Sequence, residues 1–182
     1  LISVLAAVLS QVFHGYFNFE LEKCLVWYVL PQALDFILVA VLAVFLQTIS
    51  PHKFIGWALM VIYIVSTITF TKLGFEHKLY NYGATTDTPF SDMNGLGKFW
   101  IGAWWLRAYW TAFALVLLVL AYGLWRRGTE SRLLPRLRRL PLRLNGGAGA
   151  LMGVSLVAFA GLGGFIYVNT NVWNDYRTNI DG

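Results

Sequence analysis

Long apolar runs separated by short polar stretches dominate the chain. Three of these runs carry no charged side chain: residues 54–71, 108–125 and 144–174. About 18 to 20 helical residues rise ~27 to 30 Å, the thickness of the hydrocarbon core of a bilayer, and a helix satisfies its own backbone polar groups there. A β-barrel needs alternating polar and apolar positions, which residues 115–120 do not show. The pattern therefore predicts an all-α fold, a polytopic bundle of membrane-spanning helices.

The pattern predicts about five membrane segments, the first of them truncated: residues 1–14, 31–50, 54–72, 99–125 and 147–168. Because the chain begins inside an apolar run and without methionine, we expect a piece of a longer protein. Residues 169–182 are then an extracytoplasmic linker toward an absent domain. The short turn at residues 50–53 predicts an antiparallel helix pair, and the glycine-rich stretch 73–98 predicts an ordered loop that packs through its aromatic side chains.

Composition supports a membrane protein, because 58% of the residues are hydrophobic and only 13% are charged. A typical soluble domain has roughly 25% charged residues. Seven of the 14 basic residues lie in residues 126–145, which places that stretch in the cytoplasm by the positive-inside rule. The loop 73–98 and the C-terminal tail are then extracytoplasmic. The net charge of +5 thus reflects topology, and we expect no nucleic-acid partner.

Four arginines of the basic stretch recur at helical spacing, with leucines on the adjoining face: Arg132, Arg136, Arg139 and Arg143. Pro135 and Pro141 predict that the helix is broken. One interpretation is a topology signal whose leucines lie in the membrane interface. The other is specific contact of these four arginines with anionic lipid head groups.

Two charged residues, Asp35 and Arg107, enter apolar segments at similar predicted depth. Ionisable groups inside a membrane are costly and usually face protein or water. We expect an ion pair that ties two helices together. Two alternatives stay open: a substrate or proton pathway, and an Arg107 that snorkels beside neighbouring tryptophans.

The last segment carries small residues at four-residue spacing: Gly149, Gly153, Ala160 and Gly164. Such a face lets helices approach closely. We expect it to pack inside the bundle, and dimerisation of two chains is the alternative.

Catalytic motifs do not occur in the sequence. The three histidines, His14, His52 and His77, are far apart, so no H-E-x-x-H zinc motif is formed, and no G-x-x-x-x-G-K-[ST] phosphate loop is present. We therefore expect neither peptidase nor ATPase activity from this chain, and no cofactor or metal bound to it.

Several stretches together resemble a bacterial membrane family of large ATP-binding-cassette (type-2) exporter permeases, fused at the C-terminus to a zinc aminopeptidase. The matching stretches follow in the same order: residues 16–20, 35–47, GFEHKLY (74–80), PFSDMNG (89–95), YW (109–110) and NTNVWNDYRT (169–178). The resemblance implies that this chain is the later transmembrane part and the start of the linker. No catalytic residue of the peptidase has a counterpart here.

The resemblance implies a multi-pass protein of the bacterial inner membrane that works with a separate ATPase subunit. Its other partners would be the lipid bilayer, further transmembrane helices of the parent chain and, as one option, a second copy. The alternative function is a membrane anchor or assembly scaffold for the peptidase, without transport. An ion-coupled carrier built on Asp35 and Arg107 is the third, least favoured class.

Overall fold

The computed structural model describes residues 6, 9–10, 12–15, 25–72, 78–86, 99–125 and 133–173. All long elements in these residues are helices, and four of them are long and apolar enough to cross a membrane. The predicted all-α bundle is confirmed. In chain order the helices are α1 Leu30–Ile49, α2 Lys53–Lys72, α3 Phe99–Leu124, α4 Leu133–Arg138, α5 Leu140–Arg143 and α6 Gly147–Tyr167.

Two of the spanning helices are longer than their predicted segments. A π-helical turn, Leu25–Val29, precedes α1, and a second one, Val168–Trp173, continues α6. Pro31 lies inside this longer run and cannot donate a backbone hydrogen bond, and the irregular π-helical turn stands directly before α1. At the other end, Thr170 Oγ1 donates to Ile166 O at 2.8 Å, which satisfies a terminal carbonyl. The predicted first segment, 1–14, lies largely outside the described residues.

The chain divides into two compact units, Leu1–Ile37 and Leu38–Gly182, with the boundary inside α1. In the second unit α3 is the central helix, because 61% of its 18-residue apolar stretch is buried, against at most 11% of the corresponding stretch in each other spanning helix. A cluster of buried side chains surrounds the middle of α3: Leu38, Leu106, Tyr109, Trp110, Ala114 and Ile166. The other helices expose large apolar side chains, as expected for surfaces that face lipid.

The α3–α6 contact depends on aromatic rings and one glycine. Tyr109 stacks on Phe159 with ring centroids 4.6 Å apart, and Trp105 lies 4.8 Å from Phe165. A Cβ at Gly163 would lie 2.9 Å from the Tyr109 ring, closer than side chains tolerate. Gly163 is therefore a position where the contact with α3 leaves no room for a side chain on α6.

Residues 78–86 form an irregular loop that packs into the second unit through Tyr82. Its hydroxyl donates to Leu38 O at 2.8 Å, and its own carbonyl accepts from Tyr63 Oη at 2.7 Å. Trp110 Nε1 donates to Ala84 O at 3.2 Å. Burial raises the pKa of Tyr82, which keeps the phenol protonated as a donor. The loop thus connects α1, α2 and α3, and irregular backbone of this kind is stable near a membrane only when protein covers it.

Candidate functional site

The clearest polar contact between helices in the described residues lies where α1 and α3 end. Arg136, on the short helix α4, is only 2% exposed. Its Nη1 donates to Thr48 O at 2.8 Å and to Leu124 O at 2.9 Å. The last carbonyls of a helix lack intrahelical partners and carry partial negative charge. One guanidinium therefore joins the C-terminal ends of two membrane helices that are far apart in sequence.

Arg143 makes a second, similar attachment. Its Nη1 donates to Gly123 O at 2.8 Å and to Trp125 O at 3.2 Å, again at the end of α3. Gly123 leaves room for α5, because a Cβ there would lie 2.5 Å from Leu140 Cδ1. We refer to α4 and α5 with their two attachments, Arg136 and Arg143, as the arginine clamp.

The local sequence explains the shape of the arginine clamp. Pro141 stands at the first turn of α5, and Arg139 between the two helices has φ −89° and ψ −6°. Because proline cannot donate a backbone hydrogen bond, a continuous helix is interrupted here, as predicted from Pro135 and Pro141. The interruption lets Arg136 and Arg143 both reach α3, while Arg138 and Arg139 are exposed.

The four arginines predicted to contact lipid have different surroundings, and their lipid contact stays a prediction. Arg136 is buried against helix carbonyls, and Arg143 is half-buried and bonded to two carbonyls, so both guanidinium groups are engaged at helix ends. Arg139 is exposed. Arg132 lies outside the described residues.

The outer face of the arginine clamp is apolar as well as basic. Leu134 and Leu142 are 72% and 79% exposed, beside the exposed Arg138 and Arg139. This combination suits a surface that touches the membrane interface or a partner. The clamp therefore has one face fixed to helix ends and another presented outward.

Asp35 and Arg107 belong to different units, and their predicted pairing stays a prediction. Asp35 is half-buried on α1. Arg107 is 8% exposed on α3, and its guanidinium carbon lies 5.8 Å from the centre of the Trp104 ring. That distance is within the range of a cation–π contact.

The four small residues predicted for helix packing have mixed surroundings. A Cβ at Gly149 would collide with the carbonyl oxygen of Leu144, whereas nothing in the described chain comes within 4 Å of a Cβ at Gly153 or Gly164. Ala160 is exposed. The close approach to α3 uses Gly163, which the four-residue spacing did not select. Use of the other positions, including dimerisation, stays a prediction.

The described residues contain no group of three or more His, Cys, Asp or Glu side chains that could hold a metal ion. Glu76 and His77 lie outside those residues. No family model, no curated protein and no solved structure matches the chain.

Proposed function

We propose that this chain is the permease-like transmembrane part of an ATP-binding-cassette transporter of the bacterial inner membrane, associated with an extracytoplasmic zinc aminopeptidase. The observation that carries the transporter proposal is the arginine clamp. A permease driven by a separate ATPase needs an element outside the membrane that can be displaced and that is fixed to the spanning helices. Two arginines fix the clamp to the ends of α1 and α3, and its exposed outer face offers a surface on which a partner would act.

The hydrogen bonds of Arg136 and Arg143 make α4 and α5 suited to transmitting a force to the spanning helices. Hydrogen bonds from a charged donor are short and stronger than neutral ones. A force that displaces α4 must therefore move the ends of α1 and α3, or break both bonds of Arg136. A membrane anchor has no need for such a link, so the scaffold alternative leaves this geometry unexplained.

The proposed orientation of the chain in the membrane follows from the arginines of residues 126–145, because basic loops favour the cytoplasmic side. The test uses a chain in which Cys24 is changed to serine and a single cysteine replaces either Leu142 or Tyr80. We expect the two cysteines to differ in how an impermeant maleimide labels them in intact cells. Position 80 should react with an impermeant maleimide at once, and position 142 only after permeabilisation. The reverse pattern would place the clamp outside and exclude a cytoplasmic ATPase as its partner.

The partner can be tested with a photo-reactive amino acid at Leu142 in native membranes. Val157, which is 75% exposed in the middle of α6, is the matched control position. We expect position 142 to crosslink to a protein that contains a G-x-x-x-x-G-K-[ST] phosphate loop, and position 157 to give no such adduct. If position 142 crosslinks only to lipid, the anchor alternative replaces the transporter.

The peptidase association is supported only by the resemblance of residues 169–178 to the linker of the fused family. The native protein, purified from its own membranes through a tag, should hydrolyse aminoacyl reporter substrates and lose that activity with a zinc chelator. Native material of full length that shows no chelator-sensitive hydrolysis would refute the association and leave the transporter proposal standing.

A further inference from the structure

Two adjoining cavities lie at the end of the bundle that holds the arginine clamp. One, of about 350 Å³, lies near the α1–α2 turn; its surface is mostly apolar, and its polar side chains are Gln47, Thr48, Ser50, His52 and Lys53. The other, of about 610 Å³, has a mainly apolar lining from α3 and α6: Leu118, Val119, Ala121, Tyr122, Ala148 and Leu151. Val44 and Trp125 line both cavities, so the two are neighbours.

Basic charge near the first cavity favours an anion. Lys53 lines it and is exposed, and Arg136 and Arg143 donate to carbonyls of Thr48 and Trp125, two of its lining residues. The described segments at this end, 44–53, 118–125 and 133–151, contain no acidic residue to oppose that charge. Glu130 lies outside the described residues. Positive charge at a membrane boundary attracts anionic lipid head groups.

The apolar cavity favours a hydrocarbon chain. Both volumes lie in the range of ~300 to 1,000 Å³ that is usual for small-molecule sites. Trp125 lies between the two cavities, at the end of a spanning helix, where amphipathic rings prefer the boundary between water and hydrocarbon. A small anion would leave the apolar lining of both cavities uncovered, and a purely apolar molecule would not use the charge of Lys53.

We propose that the two cavities form one binding site for an anionic phospholipid, with the head-group phosphate at Lys53 and His52 and one acyl chain along α3 and α6. This site differs from the lipid contact expected for the arginines of the basic stretch, because Arg136 and Arg143 are engaged with helix carbonyls. It does not depend on the proposed transport, since any inner-membrane protein meets such lipids. A bound lipid here would lie beside the clamp and couple the surrounding membrane to it.

The test uses the whole chain in phosphatidylcholine nanodiscs, titrated with phosphatidylglycerol that carries a diazirine on one acyl chain. We expect crosslinks concentrated in residues 118–125 and 148–151. Unlabelled phosphatidylglycerol should compete, whereas millimolar inorganic phosphate and additional phosphatidylcholine should not. Lys53→Gln should require about fivefold more lipid for half-maximal crosslinking, the effect of one basic charge near an anionic lipid. Lys78→Gln, a lysine of the loop 78–86, should leave the titration unchanged.

A second pair of variants tests the acyl-chain half. Leu151→Trp should fill the apolar cavity and abolish the localised crosslinks, whereas Val157→Trp, on the same helix but away from the cavity, should not. Circular dichroism establishes that each variant is folded. Crosslinks spread evenly over all spanning helices would show annular lipid only, and competition by inorganic phosphate would show a small-anion site. Equal losses of crosslinking for Lys53→Gln and Lys78→Gln would show that positive charge in general attracts the lipid and that there is no specific site. Each of these results overturns the proposal.

Discussion

Replacing Arg136 by glutamine should destabilise the bundle by about 2–4 kcal/mol. The substitution removes two hydrogen bonds from a charged donor, at 2.8 and 2.9 Å, each of which contributes ~1.5–3 kcal/mol. It also removes a positive charge from the C-terminal ends of two helices. Two effects offset these losses: a buried guanidinium no longer has to be desolvated, and the glutamine amide retains donors of its own.

The measurement is unfolding of the purified chain from mixed micelles by increasing sodium dodecyl sulfate, followed by circular dichroism. Arg138→Gln is the matched control, because Arg138 lies on the same short helix but is exposed. The loss of unfolding free energy for Arg138→Gln should stay within about 0.5 kcal/mol, as for most surface substitutions. The loss for Arg136→Lys should lie between those of the two glutamine variants, since lysine keeps the charge but lacks the planar fork of donors.

The comparison separates a specific attachment from a general effect of positive charge. If Arg136→Gln and Arg138→Gln lowered the unfolding free energy equally, Arg136 would contribute no more than any basic residue of the stretch. The arginine clamp would then not be a mechanical link, and the basis of the proposed function would be lost. A large loss for Arg136→Gln with an unchanged Arg138→Gln supports the link.

The same unfolding assay tests two further contacts. Tyr82→Phe should cost about 1 kcal/mol, because it deletes the hydroxyl that donates to the backbone of α1, while Tyr167→Phe, whose ring is exposed, should cost less than about 0.5 kcal/mol. Gly163→Leu should cost about 1–3 kcal/mol by forcing α6 away from α3, whereas the neighbouring Gly164→Leu, which has open space, should be close to neutral. Equal effects within either pair would contradict the packing described here.

The spanning helices were predictable from sequence because the bilayer imposes a length and a composition on them. Predicted segments 54–72 and 99–125 agree with α2 and α3 to within one residue at either end. The ends of the other two spanning helices were less predictable, because interfacial residues are compatible with both helix and loop. Residues 25–29 and 168–173 mix apolar, aromatic and polar side chains, and only the local hydrogen bonding decides their conformation.

The candidate site was predictable only as a basic stretch. Sequence identifies arginines and the prolines that break the helix, but the acceptors of Arg136 and Arg143 are backbone carbonyls, which every residue has. No pattern distinguishes Thr48 or Leu124 as a partner before the helices are assembled. Gly163 is not among the four residues predicted for helix packing, because the four-residue spacing of small residues also occurs at positions with open space.

The proposal that the arginine clamp transmits movement can be tested most directly by a distance measurement in the native complex with the proposed ATPase partner. Spin labels at Leu142 on α5 and Tyr80 in the loop 78–86 would report how far the clamp lies from the opposite loop. Electron–electron resonance should show different distance distributions in the nucleotide-free complex and in the complex trapped with ATP and vanadate, and Arg136→Gln should reduce the difference. Identical distributions in both states, with ATP hydrolysis by the complex established separately, would contradict the transporter proposal and favour a static membrane anchor.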